Sequence, residues 1–213
     1  YYKKNYEKTI DPMEIGVNFI VSNPNLSSEI YSILGNSYNE LEDFKNSDIS
    51  YEKALEYIPN NVQVLNNYAY YLSLRDEKLE RAEEMSKKTI EMFPEEANYL
   101  DTYAWILYKM KKYEQAKSWM QKAIDISESE TFYSHMADIL IELGENEESE
   151  YYLEKAKQQP DKVVQVLNKI RTDGLESTLN TVSARLDEPQ PLGYSNVGII
   201  THLGDGVDGF KVG

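Results

Sequence analysis

The chain has 213 residues, 41% apolar and 28% charged, so it carries enough hydrophobic material for a folded core and is not a disordered polyanion. Its net charge of −15 excludes a nucleic-acid binder built on clustered Lys and Arg, and a protein drawn to anionic lipid; charge this diffuse serves solubility before it steers a partner. The lack of any Cys excludes disulfides, Cys-ligated zinc and a cysteine nucleophile.

The opening segment YYKKNYEKTI has neither a signal-peptide h-region nor an initiator Met, and reads as the interior of a longer chain. No stretch reaches the roughly 18 apolar residues of a membrane helix, so direct membrane insertion is not expected. Asp11–Asn25 reads as the second helix of an incomplete unit, with Asp11 as its cap, Pro12 in its first turn and Asn23-Pro24-Asn25 closing it. Tyr1–Ile10 then reads as the remnant of the first helix, and the array is expected to extend upstream.

From residue 28 a pattern repeats four times. A small residue recurs at Gly35, Ala69, Ala104 and Ala137, spaced 34, 35 and 33. A second small position recurs at Ala54, Thr89, Ala123 and Ala156, and a third at Ser47, Ala82, Ala116 and Ser149. Gly or Ala at a crossing lets two helices approach closely. Apolar residues at i, i+3, i+4 and i+7 give each helix one stripe that a single pair cannot bury, so pairs must stack. Pro59 and Pro94 end second helices.

Leu34-Gly35-x-x-Tyr38, Tyr68-Ala69-x-x-Leu72, Tyr103-Ala104-x-x-Leu107 and Met136-Ala137-x-x-Leu140, with those small positions and prolines, resemble the tetratricopeptide repeat of about 34 residues. The resemblance implies an all-α, right-handed superhelix of antiparallel helix pairs. The expected organisation is a partial repeat over 1–27 and four units within 28–160, at about 28–61, 62–96, 97–129 and 130–160. Two extra helices follow over 161–188, and a small irregular or β tail with two short strands over 189–213.

The last quarter, from Lys157, resembles an N-terminal segment of GroES-like, zinc-type alcohol dehydrogenases. That resemblance implies a fragment of a two-domain, NAD(P)-dependent oxidoreductase carrying a repeat adaptor. Gly193-Tyr194-Ser195 stands where a zinc ligand belongs, and no G-x-G-x-x-G motif follows a strand, so such a fragment is inactive as it stands. Leu192–Gly213 is expected to be mobile or to pair with another chain, and to be dispensable to the repeats.

No residues assemble a catalytic, metal or cofactor site, and the chain is read as a non-enzyme. His135 reads as a helix-face residue beside Met136, and His202 as a strand-end residue; Gly204-Asp205-Gly206 is a turn. The pairs Glu95-Glu96, Glu147-Glu148 and Asp187-Glu188 sit at helix starts or turns, where acids complement the helix dipole. The 18 tyrosines fall mostly on packing positions.

The repeat resemblance implies a concave groove lined by the first helices, beside the small residues. Its expected lining includes Asn36, Asn39, Asn66, Tyr70, Asp101, Trp105, Tyr108 and Asp138, with Ser32, Ser73, Ser134 and Ile141 between them. The function expected is a scaffold that binds an extended peptide or partner helix, with a basic or aromatic segment. Trp105, Tyr70 and Tyr108 are the expected anchors, Asp101 an exposed partner for a basic side chain, and Lys117 a neutral convex-face residue. A carboxylate clamp is not expected: Asn36 and Asn67 match its asparagines, but Ser32, Asn98 and Thr102 stand at its basic positions. The compartment is not legible.

Overall fold

A computed structural model of the chain describes residues 2–19 and 23–158, which form nine α-helices and no strand. They are α1 (Tyr2–Phe19), α2 (Pro24–Glu40), α3 (Phe44–Tyr57), α4 (Val62–Leu74), α5 (Leu79–Met92), α6 (Ala97–Lys109), α7 (Tyr113–Ile126), α8 (Glu130–Leu143) and α9 (Asn146–Gln158). No helix among the described residues is long and apolar enough to cross a membrane. The two helices expected over 161–188, the strands of the tail, His202 and the dehydrogenase-like stretch from residue 159 onward lie outside the described residues.

The N-terminal segment departs from the sequence reading. Asp11 caps nothing; it lies inside α1, which runs unbroken through Pro12. Proline forfeits one backbone donor and normally breaks a helix interior, but tertiary contact overrides that preference here. The α1 helix packs along α2, and the Tyr38 hydroxyl donates to Glu14 Oε1 at 2.5 Å. Asn23 and Pro24 open a helix rather than close one: Asn23 Oδ1 accepts from the Leu26 N–H at 3.2 Å, and Pro24 fills the first helical position.

The other eight helices form the antiparallel pairs α2/α3, α4/α5, α6/α7 and α8/α9. Four turns of one design join them. Glu42, Asp76, Lys111 and Gly144 take positive φ, at 63°, 54°, 60° and 78°. In each turn the next N–H reaches back to the first helix: Asp43 to Tyr38, Glu77 to Leu72, Lys112 to Leu107 and Glu145 to Leu140, at 2.9–3.0 Å. This is the Schellman closure, and only the fourth turn supplies the glycine it favours. As expected, the α3 and α5 helices end two residues before Pro59 and Pro94, and Glu147 and Glu148 occupy the first turn of α9.

The small residues sit where the helices cross. Ala69, Ala104 and Ala137 are wholly buried, as are Ala54, Thr89, Ala123, Ser47, Ala82 and Ala116. A methyl on Gly35 would meet the Tyr51 ring at 2.9 Å. Tyr51 is itself fully buried and stacks on Tyr68 of the next pair, centroids 4.9 Å apart. Sixteen residues past Ala69 and Ala104 the equivalent positions are Met85 and Met120, whose thinner side chains leave space for the alanine methyl. Where serine opens the second helix, its hydroxyl binds the small residue's carbonyl: Ser47 to Gly35 at 2.9 Å and Ser149 to Ala137 at 3.2 Å.

Pairs stack in an asymmetric way. First helices pack backbone to backbone on first helices, α2 on α4, α4 on α6 and α6 on α8, whereas among the described residues second helices of successive pairs meet through side chains alone, as Arg81 of α5 meets Glu52 of α3 at 2.6 Å. The first helices therefore form the inner layer of a helical solenoid. On the outer layer an ion pair recurs from pair to pair. Asp48 binds Arg75 at 2.6 Å, Glu83 binds Lys112 at 2.7 Å, and Lys117 binds Glu145 and Glu148 at 2.5 and 3.1 Å. The polarity reverses at the last step, so Lys117 is a tie between pairs and not the neutral convex-face residue the sequence led us to expect.

Gly35→Ala should destabilise the chain by about 1–3 kcal/mol through overpacking, and the loss should shrink when Tyr51→Met is added; urea midpoints of the double-mutant cycle check this. Lys111→Gly should stabilise by about 1 kcal/mol or less, and Gly144→Ala destabilise by about 1 kcal/mol, because only the backbone of an αL residue is at stake. Thermal melts that moved both variants the same way would refute the shared turn geometry.

Candidate interaction face

Three repeat positions of the first helices flank the small residue. One turn before the small residue stand Ser32, Asn66, Asp101 and Ser134. Directly after it stand Asn36, Tyr70, Trp105 and Asp138, and one turn later Asn39, Ser73, Tyr108 and Ile141. The structure treats them unequally. Ser32, Asn66, Ser73 and Asp101 are buried, Ile141 is half exposed, and the rest are intermediate.

In the first pair, Asn36 accepts the Tyr51 hydroxyl and is occupied within the chain. Asn39 keeps its amide oxygen buried without a hydrogen-bond partner. In the second pair, the Ser73 hydroxyl turns back to the Tyr70 carbonyl at 2.6 Å. Asn66 is 2% exposed and its Oδ1 has no partner. Tyr70 lies between two acids: burial raises its hydroxyl pKa, and the carboxylates of Asp101 and Glu40 raise it further.

The third and fourth pairs build one cluster. His135 Nδ1 donates to Asp101 Oδ1 at 2.7 Å. The imidazole stacks on Trp105, centroids 4.1 Å apart, and Trp105 stacks in turn on Tyr108 at 4.8 Å. Lys109 Nζ lies 5.8 Å from the Trp105 ring centroid while pairing with Asp76 at 3.0 Å. Asp138 flanks the stack: burial raises its carboxyl pKa, and His135 pulls against that rise. Burial likewise raises the Tyr108 hydroxyl, with Asp138 and Glu142 adding to the shift. Asp101 Oδ2 and Trp105 Nε1 are both buried and lack a partner.

Two expectations change. Asp101 is 1% exposed, so it is not the open carboxylate that would steer a basic side chain from solution. The backbone packing of α6 on α8 and the His135 ring enclose it. Trp105 does not offer a bare ring, because Tyr108 and His135 already share its surface. Sequence reasoning gave His135 no more than a place on the helix face beside Met136. The signal was its place one repeat length, 34 residues, after Asp101, which sets acid and imidazole side by side on adjacent first helices. Among the described residues no group of three or more His, Cys, Asp or Glu is placed to hold a metal ion. The clamp positions carry no cation: Asn98 binds Glu96 at 3.2 Å, and Thr102 is buried.

Residues 28–61 and 50–84 match tetratricopeptide-repeat families, and residues 75–156 match the family described as anaphase-promoting complex, cyclosome, subunit 3. No curated protein sequence matches. Among solved structures the chain is similar to PilF of Pseudomonas aeruginosa, 22% identical over 89% of this chain and 87% of that one, TM-score 0.63. PilW, described as a widely conserved type IV pilus biogenesis factor, is 13% identical over 86% and 85%, TM-score 0.64. MamA from Desulfovibrio magneticus RS-1 is 14% identical over 74% and 92%, TM-score 0.59. At these identities the likeness is one of fold. None of these matches supports the dehydrogenase resemblance.

His135→Ala should destabilise by about 1–3 kcal/mol or more, since it strands a buried carboxylate with no donor. Asp101→Asn keeps an acceptor for Nδ1–H and should cost less. Urea denaturation of both variants checks the order; the reverse order would show that the bond is incidental.

Proposed function

We propose that this chain, whose helix pairs are tetratricopeptide repeats, is a scaffold that holds an extended segment of a partner protein along the face of α2, α4, α6 and α8. One observation carries the reading. Asn39 Oδ1, Asn66 Oδ1, Asp101 Oδ2 and Trp105 Nε1 are buried on these helices without hydrogen-bond partners. Folded proteins leave few such groups, because each one forfeits hydration without compensation. Three acceptors and a donor strung across successive pairs suit a peptide, whose backbone offers N–H and C=O groups in alternation.

The surrounding chemistry supports a partner with basic or aromatic character. Tyr70 feels the charges of Asp101 and Glu40, and Tyr108 those of Asp138 and Glu142, and rings with one polar end anchor interfaces well. No group on this face has the arrangement of a nucleophile with its base, so a binding role fits better than catalysis.

The test uses a degenerate decapeptide pool immobilised against the full chain. Trp105→Ala and Asn66→Ala should each weaken retention, Trp105→Ala by about 2 kcal/mol. Lys87→Ala is the reference: this side chain is 62% exposed and pairs along its own helix with Glu91. Loss of retention in Lys87→Ala with none in the inner-face variants would move the binding surface to the outside of the solenoid.

A further inference from the structure

On α4 and α6 two buried side-chain acceptors stand without partners. Asn66 and Asp101 hold the same repeat position in two helices that pack directly on each other. Both are more than nine-tenths buried, at 2% and 1% exposure, and each keeps one side-chain oxygen unpartnered. The neighbouring bases are committed elsewhere: His135 to the other Asp101 oxygen, and Lys109 to Asp76. Tyr70, one turn after Asn66, lies close enough to Asp101 to feel its charge.

We propose that this pair of oxygens is the seat of an arginine from the partner. The guanidinium enters between α4 and α6 as the Tyr70 ring turns outward, and donates one N–H to Asp101 Oδ2 and another to Asn66 Oδ1. The inference rests on the inner-face reading above and narrows it to one side chain. Two acceptors on separate helices require two donors set apart in a fixed fork, which guanidinium has and a point-like ammonium does not. The positive charge answers a buried carboxylate whose second oxygen is otherwise uncompensated. The unpartnered Trp105 Nε1–H beside the seat is left to accept a carbonyl from the same segment.

The probes are N-acetyl-arginine amide and its neutral isostere N-acetyl-citrulline amide, titrated into the full chain while the Trp105 indole N–H resonance is followed. Arginine amide should shift that resonance, with citrulline amide at least about tenfold weaker. Asp101→Asn should abolish the difference between the two probes, and Asn66→Ala should weaken arginine amide several-fold; the second variant decides if the first fails to fold. Equal response to both probes, or an arginine response untouched in both variants, overturns the seat. Decapeptide pools with and without arginine then separate this proposal from its premise. Equal shifts of the inner-face resonances by both pools sink the arginine seat and leave the binding face standing. No shift by either pool sinks both.

Discussion

Everything in this solenoid depends on how closely two helices of a pair can approach. At Gly35, Ala69, Ala104 and Ala137 the first helix presents almost no side chain, and the second helix lays its own small residue or ring into that space. The fit is reciprocal. Where the second helix brings the Tyr51 ring the first must be glycine, and where it brings Met85 or Met120 an alanine suffices. Interiors packed to this density have no slack to absorb a further methyl. The same approach brings the Ser47 and Ser149 hydroxyls within reach of first-helix carbonyls.

Curvature follows from that closeness. Four turns reverse the chain through a left-handed residue, at Glu42, Asp76, Lys111 and Gly144, the second turn adding Lys78 at 46°. Reversals that share this closure stack similar pairs. The first helices then meet one another along the inside, while the second helices are splayed along the outside. Outer ion pairs such as Asp48–Arg75 and Glu83–Lys112 bridge the splayed side. Exposed pairs of this kind add little stability, but Arg75 is 8% exposed and stacks over Phe44 at 4.8 Å, so this tie is held in one geometry.

The inner layer inherits a consequence. Residues one turn before the small position are drawn into the meeting line of adjacent first helices, and polar side chains there lose water. Asp101 recovers one bond from His135, and Trp105 and Tyr108 close over that contact as a stack. Asn39 Oδ1, Asn66 Oδ1, Asp101 Oδ2 and Trp105 Nε1 remain buried and uncompensated.

The pattern of the chain alone determined the helix pairs, their phase and their inner layer. A small residue every 33 to 35 positions admits few other arrangements once each helix has a stripe to bury. The unbroken run of α1 was not legible, because local rules at Asp11-Pro12 favour a helix start and only packing against α2, with Glu14 meeting Tyr38, outweighs them. Nor was the state of the site. Sequence placed Asp101, Trp105 and Tyr108 at neighbouring turns of one helix, but a repeat position says nothing of how far the next pair covers it. Burial of Asp101, its bond to His135 and the use of the Trp105 ring inside the chain come from contacts between α6 and α8, residues a full repeat apart. Side-chain exposure at such a seam is a property of two helices together, and only the tertiary structure decides it.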